Sequence, residues 1–150
     1  MSPPTAPAAP AGLFLEDLSV GQSAEITRTA TAADVEAFAA VTGDDNPVHL
    51  DEAYAAATRF GGRIAHGMLS AGYISAVLGT RLPGPGAIYL SQSLAFRRPV
   101  KLDDAVTARA EIVAIDEASA RVTLRTTCTV NGKVVADGEA VVMAPRRPAP

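Results

Sequence analysis

The sequence predicts an α+β domain in which a sheet wraps around one buried helix. Three observations carry that reading. A run from His66 through Leu78 is apolar nearly all round, as a helix with no solvent face would be. The second half of the chain holds strand-like runs, the clearest being Arg121 to Val130, where Val122, Leu124, Thr126 and Cys128 alternate with Arg121, Thr123, Arg125 and Thr127. Asn131-Gly132 then marks a hairpin turn, because both residues tolerate positive φ. At 150 residues, 48% of them apolar and 19% charged, the chain suits one folded core and is too short for two comfortable ones.

Taken in order, residues 1–12 form a Pro/Ala-rich tail, broken by Pro3, Pro4, Pro7 and Pro10. A second proline-rich tail covers 145–150, which leaves 13–144 as the domain. An early strand runs from Gln22 to Thr29. Thr31 caps the first helix, with Asp34 three positions on in a capping-box arrangement. Val35, Phe38, Ala39 and Val41 are expected near one face, and Gly43 ends the pattern. Asp51 caps a short second helix through Ala57. The apolar third helix follows from His66, with Gly79 near its end. Ala87 to Phe96, Ala105 to Ile115, Arg121 to Val130 and Lys133 to Met143 complete the sheet.

Several function classes are excluded early. A net charge of −3 argues against a nucleic-acid binder, which normally shows a basic face. The single cysteine, Cys128, forms no intrachain disulfide and no cysteine metal cluster, and its strand position suits a small buried residue. The N-terminus lacks the basic start and unbroken apolar stretch of a signal peptide, and no run reaches the ~18 apolar residues of a membrane helix. The expected location is the cytoplasm, with no membrane partner.

The segment Gly43-Asp44-Asp45-Asn46-Pro47-Val48-His49 carries the chemistry. It is expected as a loop after the first helix, in which Pro47 biases Asn46 away from helical angles. A turn there points Asp44 and His49 at one space, where a carboxylate and an imidazole can hold a water and move its protons. Such residues are also ordinary turn formers. The second of only two histidines, His66, precedes Gly67 at the start of the buried helix. A helix N-terminus presents free N–H groups to a developing oxyanion, and Gly admits close approach.

Residues 38–51 (FAAVTGDDNPVHLD) resemble the hydratase-2 motif of the MaoC-like family of R-specific enoyl-CoA hydratases, and 64–69 (IAHGML) and 82–99 (LPGPGAIYLSQSLAFRRP) resemble later segments of it. The likeness spans about residues 13 to 144, and the short members that feed polyhydroxyalkanoate synthesis look closest. It implies a hot-dog fold, a homodimer, and reversible syn addition of water to a trans-2-enoyl thioester. By the same resemblance Asp44 and His49 share the catalytic water; the sequence leaves open which of them takes the first proton, and the reading adopted is that Asp44 activates the water for attack at C3 and His49 gives a proton to C2. The Gly67 N–H binds the thioester oxygen, Asn46 shapes the loop or orients the water, and Ser75 supports the site or is a small core residue. His66 is read as structural. Asp103 stands where many relatives have Gly, at a turn that Asp tolerates.

The substrate is a coenzyme A or acyl-carrier-protein (ACP) thioester, and no metal or redox cofactor is implied. Arg63, Arg81, Arg97, Arg98 and Lys101 are basic residues to consider at the tunnel mouth, and Phe38, Leu69, Ala71, Gly72 and Tyr89 for the acyl pocket. The competing readings are a 3-hydroxyacyl-ACP dehydratase, a hydratase of branched or dicarboxylic enoyl-CoA, a hot-dog thioesterase, and a non-catalytic acyl-binding subunit.

Overall fold

The computed structural model describes residues 11–150, so most of the expected N-terminal tail lies outside the described residues. A 3₁₀ turn at Leu15–Asp17 leads into β1 (Ser23–Thr29), α1 (Ala32–Thr42), α2 (Pro47–Leu50), α3 (Glu52–Ala56) and α4 (Gly67–Thr80). The remaining strands are β2 (Ile88–Gln92), β3 (Ala95–Phe96), β4 (Ala105–Asp116), β5 (Arg121–Val130) and β6 (Lys133–Met143). They form one antiparallel sheet in the order β1-β4-β5-β6-β2, with β3 beside β6. No helix among the described residues is long and apolar enough to cross a membrane.

The core is the contact between α4 and the inner face of this sheet. Val106, Ala108, Ala110 and Ile112 of β4, and Val122, Leu124, Thr126 and Cys128 of β5, are all buried, in the period-two alternation of strands. The alanines of β4 leave room for the larger Tyr73, Ile74, Val77 and Leu78 of α4, so small residues on the sheet meet large ones on the helix. Each of the large aliphatic side chains contributes about 1.5–3 kcal/mol by leaving water. A register shift between Ile112 and Ala114 breaks the β4–β5 ladder and bends the sheet around the helix.

The local signals set the ends of the elements. Thr31 accepts from the Asp34 N–H at 3.1 Å while Asp34 reaches back to the Thr31 N–H, closing the expected capping box. Asn131 and Gly132 both take positive φ in the β5–β6 turn, and Asp103 takes φ 71 where a glycine was to be expected.

Three expectations need correction. Val41 is 86% exposed: it sits two residues, roughly 200° of helix, from buried Ala39 and so faces away from the core. The stretch 87–96 is two strands, because the Ser93 backbone presses onto Gly138 so closely that a Cβ there would lie 1.8 Å from the Ser93 oxygen. Finally, α4 is not enclosed all round. Met68, Gly72, Ser75 and Gly79 recur at helical spacing on a face that this chain leaves uncovered.

At the C-terminus, residues 144–150 carry no helix or strand. The Pro145 carbonyl accepts from the Leu15 N–H at 2.8 Å, and the Arg147 guanidinium pairs with Asp17. Cys128 lies fully buried with its thiol toward the Ser70 carbonyl, and burial pushes that thiol up to about 12. A thiol-reactive dye at pH 8 is therefore expected to leave the native protein unlabelled and to label one site per chain only after denaturation.

Candidate active site

The site is assembled where the end of α1, the short α2 and the start of α4 meet. Gly43, at φ 80, ends α1 in a left-handed cap, and Asp44 follows with its N–H on the Thr42 hydroxyl at 3.2 Å. The sequence reading expected residues 43–49 to be a loop throughout. Instead Pro47–Leu50 is a helical turn, and His49 is on it. Pro47 is pre-set for a first helical position, and Asn46 at φ −50, ψ 125 caps the turn by accepting from the Val48 N–H at 3.2 Å.

His49 is 9% exposed, and its Nδ1 lies 2.7 Å from the Ile64 carbonyl oxygen. A carbonyl only accepts, so Nδ1 carries hydrogen and Nε2 is the nitrogen left to exchange a proton. The backbone of His49 is held too, because Arg63 Nε donates to its carbonyl at 2.6 Å. His66 is 2% exposed; its Nε2 donates to the Asp44 carbonyl at 2.8 Å, and its ring stacks on His49 with centroids 3.8 Å apart and planes 29° from parallel. One ligand-type atom from each of Asp44, His49 and His66 falls within 4.8 Å of the others. By residue type the trio resembles a cation site, yet stacked rings send their in-plane lone pairs side by side rather than to one point.

Gly67 opens α4, so its N–H has no partner within the helix and points beyond its start. The Phe96 ring lies over it so tightly that a Cβ at 67 would come within 2.9 Å of two ring carbons. His49, Gly67, Phe96, Arg59, Arg97 and Arg98 help line a cavity of about 410 Å³. A second cavity, of about 480 Å³, is walled by Phe38, Gly72, Ser75, Tyr89, Gln92 and Phe96. Phe96 and Met68 belong to both. Burial raises the Tyr89 phenol above its ordinary value, keeping it a donor, and it bonds to Gln92 Oε1.

The structure thus brings the Asp44 and His49 side chains together, with Asn46 bonded through its N–H to the Asp44 carboxylate, sets His49 and Gly67 on one cavity that Asp44 does not line, and puts Ser75 in the second cavity rather than in the core. Of the basic residues considered, Arg97 and Arg98 line the first cavity; Arg81 and Lys101 do not. Arg63 is turned inward to His49 and Glu36. Arg59 and Phe96 were missed. Arg59 follows a helix too short to give a facing, and Phe96 reads as one more apolar strand position.

Residues 17–134 match the family described as MaoC like domain. The (R)-specific enoyl-CoA hydratase of Rhodospirillum rubrum is 55% identical over 134 residues, covering 89% of this chain and 93% of that protein. The 3-hydroxybutyryl-CoA dehydratase of Methylorubrum extorquens is 50% identical over 135 residues, 90% of this chain and 86% of that one. Among solved structures, the (R)-hydratase from Aeromonas caviae involved in PHA biosynthesis superposes with a TM-score of 0.85 at 47% identity, covering 87% of this chain and 99% of that chain.

The capping role of Asn46 has a measurable consequence. Asn46→Ala is expected to cost about 1 kcal/mol in urea unfolding, while Asn46→Asp, which keeps the acceptor, stays near the parent.

Proposed function

This chain belongs to the MaoC-like dehydratase family, with the hot-dog fold of that family, and from that premise we infer that it is an (R)-specific enoyl-CoA hydratase, a hydro-lyase that adds water reversibly to trans-2-enoyl-CoA to give (R)-3-hydroxyacyl-CoA. The observation that carries the site assignment is the approach of the Asp44 and His49 side chains to within 4.8 Å, with His49 and Gly67 lining one cavity. The Asp44 carboxylate takes a proton from the bound water as its oxygen attacks C3. His49, protonated on Nε2, gives that proton to C2. Proton transfer from Asp44 to Nε2 then restores both groups, so one water is consumed and no proton is gained or lost. As C3 is attacked, negative charge moves to the thioester oxygen. The Gly67 N–H and the positive end of α4 stabilise it there.

The two cavities divide the substrate. Arg59, Arg97 and Arg98 give the first a basic wall suited to coenzyme A phosphates, and the apolar second cavity takes the acyl chain. No redox group enters this chemistry. A CoA thioester as substrate and a free, buried cysteine fit a cytoplasmic location.

We also propose a homodimer. Strand β2 ends the sheet, and Ile88, Tyr89 and Leu90 on it are exposed, as is the Met68–Gly79 stripe of α4. An apolar edge of this kind invites pairing, and a second copy of β2 closes it. Sedimentation should give a dimer, and Ile88→Lys should move it toward monomer; a monomeric parent at assay concentrations would contradict the pairing.

With crotonyl-CoA, loss of absorbance at the enoyl thioester band is expected without release of free thiol, which separates hydration from thioester hydrolysis. Asp44→Asn and His49→Gln should each lower kcat by about 10²–10⁴-fold with folding intact. A near-normal rate in either variant overturns the assigned roles.

A further inference from the structure

His66 occupies the N-cap position of α4, yet its side chain makes no capping bond. Ser, Thr, Asp and Asn are the residues that stabilise this position, by accepting from the N–H groups of the first turn. Such an acceptor here would engage the same end of the helix that the thioester oxygen needs. His66 instead turns its ring back toward α1 and α2. Its Nε2 donates to the Asp44 carbonyl, its face stacks on His49, and its ring centroid lies 4.6 Å from that of Phe38 on α1. Its Nδ1 is buried with no hydrogen-bond partner among the described residues.

We propose that His66 is a positioning residue that sets Asp44, His49 and the open N-terminus of α4 in one register. This rests on the hydratase reading above. Its backbone begins the helix that presents the Gly67 N–H. Its Nε2–H fixes the peptide that carries the Asp44 carboxylate, and its ring fixes the plane of the His49 imidazole, hence the direction of Nε2. Three groups, from the loop after α1, from α2 and from the start of α4, are thereby tied to one buried residue. In their neutral forms the carbonyl bonds give the two histidines opposite tautomers, hydrogen on Nδ1 in His49 and on Nε2 in His66, and His49 gains its second proton, on Nε2, for the hydration step.

Two variants separate positioning from bulk. His66→Gln keeps a donor at the reach of Nε2. His66→Phe keeps an aromatic face and volume but donates nothing to Asp44. In crotonyl-CoA hydration, His66→Phe is expected to lose about 10–100-fold in kcat with KM little changed, the scale on which groups orienting a reactive histidine act, and His66→Gln to recover most of that loss. Nitrogen-15 ring spectra of the neutral parent resolve both histidines, since the chain has only two, and should show the opposite tautomers. A His66→Phe variant with parental kcat, or two histidines in the same tautomer, overturns the proposal. If the parent hydrates no enoyl thioester, the hydratase reading fails on its own, while the tautomer measurement still decides the His66 bonds.

Discussion

Enclosing α4 is the constraint on which the rest of the molecule depends. A helix with Tyr73, Ile74, Val77 and Leu78 on one side cannot face water there, and the only surface large enough to cover it is a sheet that bends. The small residues Ala108 and Ala110 on β4 and the register shift near its end are the local means of that bend. Because the sheet covers only part of the helix, the remaining stripe and the helix start stay open. The proposed site lies at that end, where the backbone N–H of Gly67 has no partner within the helix.

Around that opening, Asp44 and His49 are held through bonds to backbone carbonyls. Ile64 holds His49, Asp44 is itself held by His66, and the His49 carbonyl is taken up by Arg63. Carbonyl acceptors have no protonation equilibrium of their own in the working range. The Ile64 carbonyl thus sets the tautomer and direction of the His49 ring without itself adding a competing acid or base.

Much of this was legible in the sequence, for identifiable reasons. The period-two pattern of β5, the Thr31 and Asp51 caps and the Asn131-Gly132 turn are local signals, and local energetics decide them. The Asp44–His49 pairing was legible as a motif, and the Gly67 terminus as a start signal. What escaped depended on contacts distant in sequence. The break in 87–96 is decided by Gly138, over forty residues on, where two backbones touch. The exposure of Val41 is a matter of phase within a helix whose sides are both apolar. His66 gave no sign of its three contacts, since each partner lies in another element.

Phe96 sits where the two cavities adjoin, with its ring pressed against Gly67. One side chain is thus a wall of both cavities and a cover on the Cα of Gly67. Altering the size of this residue therefore reshapes both cavities at once, and under the proposed division of the substrate that couples breadth of range to speed of turnover. Gly72, Ser75 and Tyr89 line the second cavity and not the first, which makes them the positions to vary for the proposed acyl pocket. Divergence toward longer or shorter chains has an unobstructed route through those three positions, and an obstructed one through Phe96.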